Sequence, residues 1–243
     1  MNNFIKIGFF TLLVCIFVFG AAFKYKSKEN KNLDGAWLLQ NGDVQEVLLF
    51  ADGYFTHTTY NTTGKKFVQT NGGAFRLQNN QLIIAKEFDT HKADRVGQSF
   101  THPFSIDSDK LTIDLNAKKQ VWKRIDDAEN LAGTWKITAR KQGDVISPIH
   151  QTGPRKTVKI LTGTRFQWIA INPASREFFG TGGGTYSFAN GKYTENIAFF
   201  SRDSSRVGAS LSFDGKIQNG DWHHSGKSSR GDDIYEVWSR IDR

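Results

Sequence analysis

From residue 33 onward, apolar and polar positions alternate with a period of two. Val158-Lys-Ile160, Phe166-Gln-Trp168-Ile-Ala170, Tyr186-Ser-Phe188 and Tyr193-Thr-Glu-Asn-Ile197 follow this rhythm. It is the pattern of a strand with one face on a core. Turn signals separate the runs: Thr162-Gly163, Asn172-Pro173, Asn190-Gly191, Asp214-Gly215 and Asn219-Gly220 late in the chain, Asp52-Gly53, Asn61-Thr-Thr-Gly64 and Asn79-Asn80 early. Asn-Gly and Asp-Gly supply the positive φ values that tight hairpins need. No stretch in this region holds a 3.6-residue period. A turn about every 8–12 residues predicts an antiparallel meander. Closing such a meander into a barrel removes its exposed edges.

The pattern is written twice. Leu33-Asp-Gly-Ala-Trp37 matches Leu131-Ala-Gly-Thr-Trp135, and Val121-Trp-Lys-Arg-Ile-Asp126 matches Val237-Trp-Ser-Arg-Ile-Asp242. Between these ends a constant offset of 111 pairs Val47 with Val158, Phe55 with Phe166, Thr70 with Thr181, Phe88 with Phe199 and Arg95-Val-Gly97 with Arg206-Val-Gly208. Gly72-Gly73 and Gly183-Gly184 also align, which predicts a kink or bulge at that point of both copies. The copies span 33–126 and 131–242. The second carries 13 extra residues after its first strand and 5 more near its end, which predicts two loops special to it. The fold expected is therefore all-β, two tandem meander barrels of about eight strands each.

Residues 1–23 stand apart. Ile7 to Phe23 is an uncharged run of 17 residues, followed by a lysine-rich tether over 24–32. This length lies between a signal-peptide core and a membrane span. Gly20 and Ala22 offer small residues for cleavage after Ala22. Lys24, Lys26, Lys28 and Lys31 behind the run oppose export by the positive-inside rule. The small residues and a mature chain without cysteine support export, and an exported protein, cleaved or membrane-anchored through residues 4–23, is the expectation. The single cysteine, Cys15, excludes an internal disulfide framework. It also lacks the small neighbour of a lipidation site. The formal charge of +8 divides unevenly: copy one has 11 basic and 11 acidic residues, copy two 15 and 10. The arginines form no basic stripe, so no nucleic-acid partner is expected.

The repeat ends carry a resemblance. Gly35-Ala-Trp37 and Gly133-Thr-Trp135 resemble the Gly-x-Trp that opens the first strand of lipocalins and related calycin-type barrels. In that superfamily the Trp plugs the closed end and an Arg of the last strand lies across it. The resemblance implies this role for Arg124 and Arg240, with a cation–π rationale. Copy two is similar, over most of 131–242, to a bacterial lipocalin-like domain family of unknown function. The similar stretches are Thr164-Arg-Phe-Gln-Trp-Ile-Ala170, Glu177-Phe-Phe-Gly-Thr-Gly-Gly-Gly-Thr-Tyr186, Asn196-Ile-Ala-Phe-Phe-Ser-Arg202 and Asp221-Trp-His-His-Ser-Gly226. The chain departs from true lipocalins in its shorter copies, its missing disulfide and the absent Thr-Asp-x-x-Tyr motif. These departures argue against one large ligand cup.

Comparing the copies singles out candidate site residues. At offset 111, Glu195 stands where copy one has Ile84, His224 where it has Ile113, and Trp168 where it has His57. Burying a carboxylate or an imidazole without a partner costs several kcal/mol. A ligand pocket in copy two, lined by Trp168, Tyr193, Glu195, Trp222 and His224, is one explanation. A structural hydrogen-bond network among Glu195, His224 and a Tyr is the other. His223 and His224 point to opposite faces of a strand, so they cannot share a metal. Gly180-Thr-Gly-Gly-Gly184 lacks the helix and the Lys of a phosphate loop. A single His224 is too little for a haem site, so neither cofactor nor metal is expected. Three functions remain open: a binding protein for a small, largely apolar ligand, a fully packed interaction module, and an acid/base enzyme using Glu195 and His224.

Overall fold

The computed structural model describes residues 33–115, 118–127, 131–149, 153–228 and 231–241. The apolar helix and tether expected over 1–32 lie outside the described residues. So do positions 128–130 of the connection between the copies, and the terminal position 242 of copy two. Among the described residues no helix is long and apolar enough to cross a membrane.

The first copy forms β1 (Gly35–Asn41), β2 (Val44–Ala51), β3 (Tyr54–Asn61), β4 (Lys66–Gln78), β5 (Gln81–Asp89), β6 (Ser99–Asp107), β7 (Lys110–Asp114) and β8 (Lys119–Asp126). Each strand pairs antiparallel with the next, and β8 returns to β1 to close the barrel. The second copy forms β9 (Gly133–Gln142), β10 (Val145–Pro148), β11 (Lys156–Leu161), β12 (Arg165–Asn172), β13 (Glu177–Ala189), β14 (Lys192–Phe200), β15 (Ser210–Gln218), β16 (Asp221–Lys227) and β17 (Asp233–Arg240). Here β17 closes on β9, and eight strands again make the wall. The ninth, β10, lies in the 13-residue insertion. It pairs only with the far half of β9, Pro148 opposite Ala139. The all-β, tandem-barrel architecture read from the alternation is thus the observed one.

Local chemistry accounts for the hairpins. Asp52 and Gly53 take φ values of 49° and 71°, Asn190 and Gly191 51° and 73°, Asn219 and Gly220 54° and 84°. These are the left-handed pairs that two-residue turns require. The glycine pairs are bulges, with register shifts between Gly72 and Gly73 and between Gly183 and Gly184. A Cβ on Gly183 would lie 2.5 Å from both the Phe166 carbonyl and the Phe199 ring, so no larger residue fits.

Each barrel has its own plug. Trp37 and Trp135 are buried, and each indole N–H donates to a backbone carbonyl four residues earlier, Leu33 and Leu131, at 2.9 Å. The Arg124 guanidinium lies 4.0 Å from the Trp37 ring centre and that of Arg240 4.6 Å from Trp135.

The barrels share a third core. Val47, Leu49 and Ala51 of β2 face Val158 and Ile160 of β11 and Ile169 and Ile171 of β12. Leu48 and Phe50, the alternate positions of β2, face inward. These strands are therefore buried on both sides. Within the interface the Gln167 amide donates to Thr70 at 3.1 Å and to Thr181, the repeat equivalent of Thr70, at 3.0 Å. Turns lock the ends reciprocally. Asp52 of the first barrel accepts from the Thr134 N–H and from Arg240 at 2.9 and 2.8 Å. Asp126 accepts from Thr162 and from the Thr164 N–H at 2.9 and 2.7 Å.

Candidate ligand-binding site

The second barrel holds a cavity of about 410 Å³ at the end opposite its Trp135 plug. The alternation of its strands sets the lining. On β12, Phe166, Trp168 and Ala170 turn inward because Ile169 and Ile171 belong to the shared core. On β11 the same rule turns Lys159 inward, since Val158 and Ile160 face the first barrel.

Lys159 is the centre of the floor. Its Nζ donates to Glu195 Oε1 at 2.9 Å, and the two side chains are 6% and 7% exposed. Both charges are thus withdrawn from water, and each has the other as its compensation. Four rings surround the ammonium, with centres 6.0 Å (Phe166), 5.4 Å (Tyr193), 5.1 Å (Trp222) and 5.0 Å (Trp238) away. A desolvated ammonium gains energy from each such ring face. The Tyr193 hydroxyl donates to Glu195 Oε1 at 2.9 Å. Burial, reinforced by the Glu195 charge, raises the Tyr193 phenol well above its usual range, so the proton stays on the tyrosine.

A second pair stands beside the first. His224 Nε2 lies 3.0 Å from Glu236 Oε2, which also accepts from the Trp238 indole at 3.1 Å. Arg140 approaches Glu236 Oε1 at 3.3 Å from the rim. Burial would raise the Glu236 pKa. The hydrogen bond from His224 and the nearby positive charges outweigh it and bring the pKa down to about 2. Burial pulls His224 below the usual histidine range, so at neutral pH the ring is uncharged. A carboxylate accepts only, so Nε2 carries the proton and Nδ1 is an acceptor. That Nδ1 is buried without a hydrogen-bond partner.

The expected residues therefore divide. Trp168, Glu195 and His224 line the cavity. Tyr193 and Trp222 are fully buried, with ring centres 4.8 Å apart, and His224 stacks on Trp222 at 5.0 Å. Glu195 and His224 do not bond to one another: the first pairs with Lys159 and Tyr193, the second with Glu236. His223 lies on the other face and meets the Tyr235 hydroxyl at 3.0 Å. Sequence reasoning missed Lys159 and Glu236. At offset 111 Lys159 replaces Leu48, the same kind of change that revealed Glu195. Glu236 aligns with Gln120, polar in both copies, and that comparison gives no signal. Among the described residues no group of three His, Cys, Asp or Glu side chains is placed to hold a metal.

The chain matches no protein-family model and no curated protein sequence.

Proposed function

We propose that the chain is a lipocalin-like binding protein whose second barrel takes a small ligand with an apolar body and an uncharged polar head. The observation that carries this reading is the cavity of about 410 Å³, apolar along Trp168, Ile197, Phe200 and Leu211 and closed at its floor by buried, internally compensated pairs. Its volume falls in the range of about 300–1,000 Å³ typical of small-molecule sites. Each cation of the lining has its own carboxylate, Lys159 with Glu195 on the floor, Arg140 with Glu236 at the rim and Arg206 with Asp203 at 3.1 Å, which favours a neutral head over an ion. A fully packed interaction module offers no reason for this space. Export, by cleavage or by anchoring through residues 4–23, belongs to the same proposal and rests on the uncharged run.

Titration of the full chain with 1-octanol and with octanoate tests the reading. Trp168 and Trp238 line the cavity, so intrinsic fluorescence reports occupancy. Octanol should give a saturable change and octanoate a weaker one. Ala170→Phe, which fills the cavity without touching its charged groups, should abolish both. No saturable response to either compound would overturn the proposal.

A further inference from the structure

The first barrel also contains a cavity, of about 260 Å³, lined by His57, Lys86, Asp89, Arg95 and His102 among others. It occupies the same place in its barrel as the cavity of the second. At the repeat offset of 111, His57 corresponds to Trp168, Lys86 to Ile197, Asp89 to Phe200, His102 to Phe213 and Arg95 to Arg206, and every one of these residues lines its own barrel's cavity. The polarity is inverted. The second barrel has an apolar wall over a charged floor, where Glu195 and Lys159 lie. The first has Ile84 and Leu48 at those floor positions and puts its charges in the wall.

We propose that the cavity of the first barrel is a second, independent binding site, for a small anion bearing a phosphate or carboxylate group. The charge balance carries the assignment. Lys86, Lys92 and Arg95 face one carboxylate, Asp89. Asp89 is already engaged: its Oδ1 accepts from the His91 and Lys92 N–H groups at 3.1 and 2.8 Å, and its Oδ2 lies 3.8 Å from Lys86 Nζ. Positive charge is left over at the cavity wall. Lys86 is the deepest cation, its side chain only 9% exposed, and it also donates to the Asn71 amide oxygen. Its repeat equivalent, Ile197, shows that an apolar residue satisfies the fold at this position. Burial lowers Lys86 to about 8, which still leaves it mostly charged at neutral pH. His57 adds no unpaired positive charge to the wall, because its Nε2 faces the Glu46 carboxylate at 2.8 Å. The cavity is smaller than the roughly 300 Å³ at which drug-sized sites begin, which selects a compact ligand.

Isothermal titration of the full chain with inorganic phosphate and with malonate tests the proposal, one arm for each head group. At least one anion should bind saturably, and added sodium chloride should weaken it, as screening requires. Lys86→Ile, copying the sister barrel, should weaken binding by at least about tenfold, or about 1.4 kcal/mol. Ala170→Phe, in the other barrel, should leave it unchanged. Should Lys86→Ile fail to fold, Arg95→Gln at the half-exposed mouth carries the test, with a several-fold loss expected. Failure of the wild-type chain to bind either anion would overturn the assignment and leave Lys86, Asn71 and Asp89 as a structural network. So would wild-type affinity in both the Lys86 and the Arg95 variants.

Discussion

Removing one member of the Lys159–Glu195 pair should destabilise the protein far more than removing both. The charges are 2.9 Å apart and 6% and 7% exposed. At an effective dielectric constant of about 20 their attraction is worth about 6 kcal/mol gross. Desolvating two ions costs several kcal/mol each, so the net worth of the pair is small. A lone survivor keeps its desolvation cost and loses its compensation, a loss of about 3–5 kcal/mol. The two single changes should also differ. After Glu195→Leu, Lys159 retains four ring faces within 5.0–6.0 Å. After Lys159→Met, Glu195 keeps the bond from the Tyr193 hydroxyl but no cation within ion-pair distance among the described residues. Lys159→Met should therefore cost more. The double variant should fall within about 1–2 kcal/mol of wild type, on the stabilised side, since apolar replacements of buried pairs are often neutral or stabilising. Urea denaturation of the four proteins completes the cycle. Additive single effects, or single losses under about 1 kcal/mol, would refute the claim that the pair is a coupled buried unit.

Trp135→Ala should cost about 3–5 kcal/mol in chemical denaturation, as large core truncations do, because the indole plugs the barrel under Arg240; a loss below about 1 kcal/mol would remove the plug assignment. Acid should destabilise the second barrel: Glu236 has its pKa depressed from 4.5 to about 2, so its contribution is complete above pH 4.5 and lost as pH falls towards 2. By linkage this amounts to about 3 kcal/mol, and Glu236→Gln should flatten that part of a stability–pH profile. His224, lowered chiefly by burial, acts in the same direction, with loss beginning as pH falls below 6.5. Asp34 has the opposite sign: burial, with Asp52 nearby, raises it from 3.8 to about 7, so stability should fall as pH rises across that interval. Asp34→Asn should therefore stabilise the chain above pH 7, by roughly 1–2 kcal/mol after solvent screening, and have no effect near pH 3, as thermal melts at both pH values would report.

The repeat made the barrels legible. Gly-x-Trp, the closing Trp-x-Arg and the glycine pairs each appear twice, and each serves the same purpose in both barrels. Glu195 and His224 were legible because isoleucines stand at their places in the first copy. Lys159 carries the same mark, Leu48 standing at its place, but the local alternation masks it. In Val158-Lys-Ile160 the alternation alone puts the lysine in water and the two apolar residues inside. The shared core between the barrels buries the outer face of β11, and that inverts the reading. The mark that such two-sided burial leaves, the unbroken apolar run Val47-Leu-Leu-Phe-Ala51, lies on β2, whereas Val158-Lys-Ile160 on β11 shows only alternation. The first-barrel cavity was hidden differently. Ile84 and Ile113 mark a packed floor, and they are indeed buried, but the charged wall lies where the second copy is apolar, Lys86 against Ile197 and Asp89 against Phe200, a contrast that reads as ordinary exposed polarity in the first copy.

Native mass spectrometry of the protein purified from its own host, without detergent or denaturant, decides whether the second barrel binds a ligand. One small, uncharged, largely apolar adduct per chain should be present in wild type and absent from Ala170→Phe. A wild-type protein that carries no adduct, and whose mass spectrum stays unchanged when 1-octanol is added, would contradict ligand binding there.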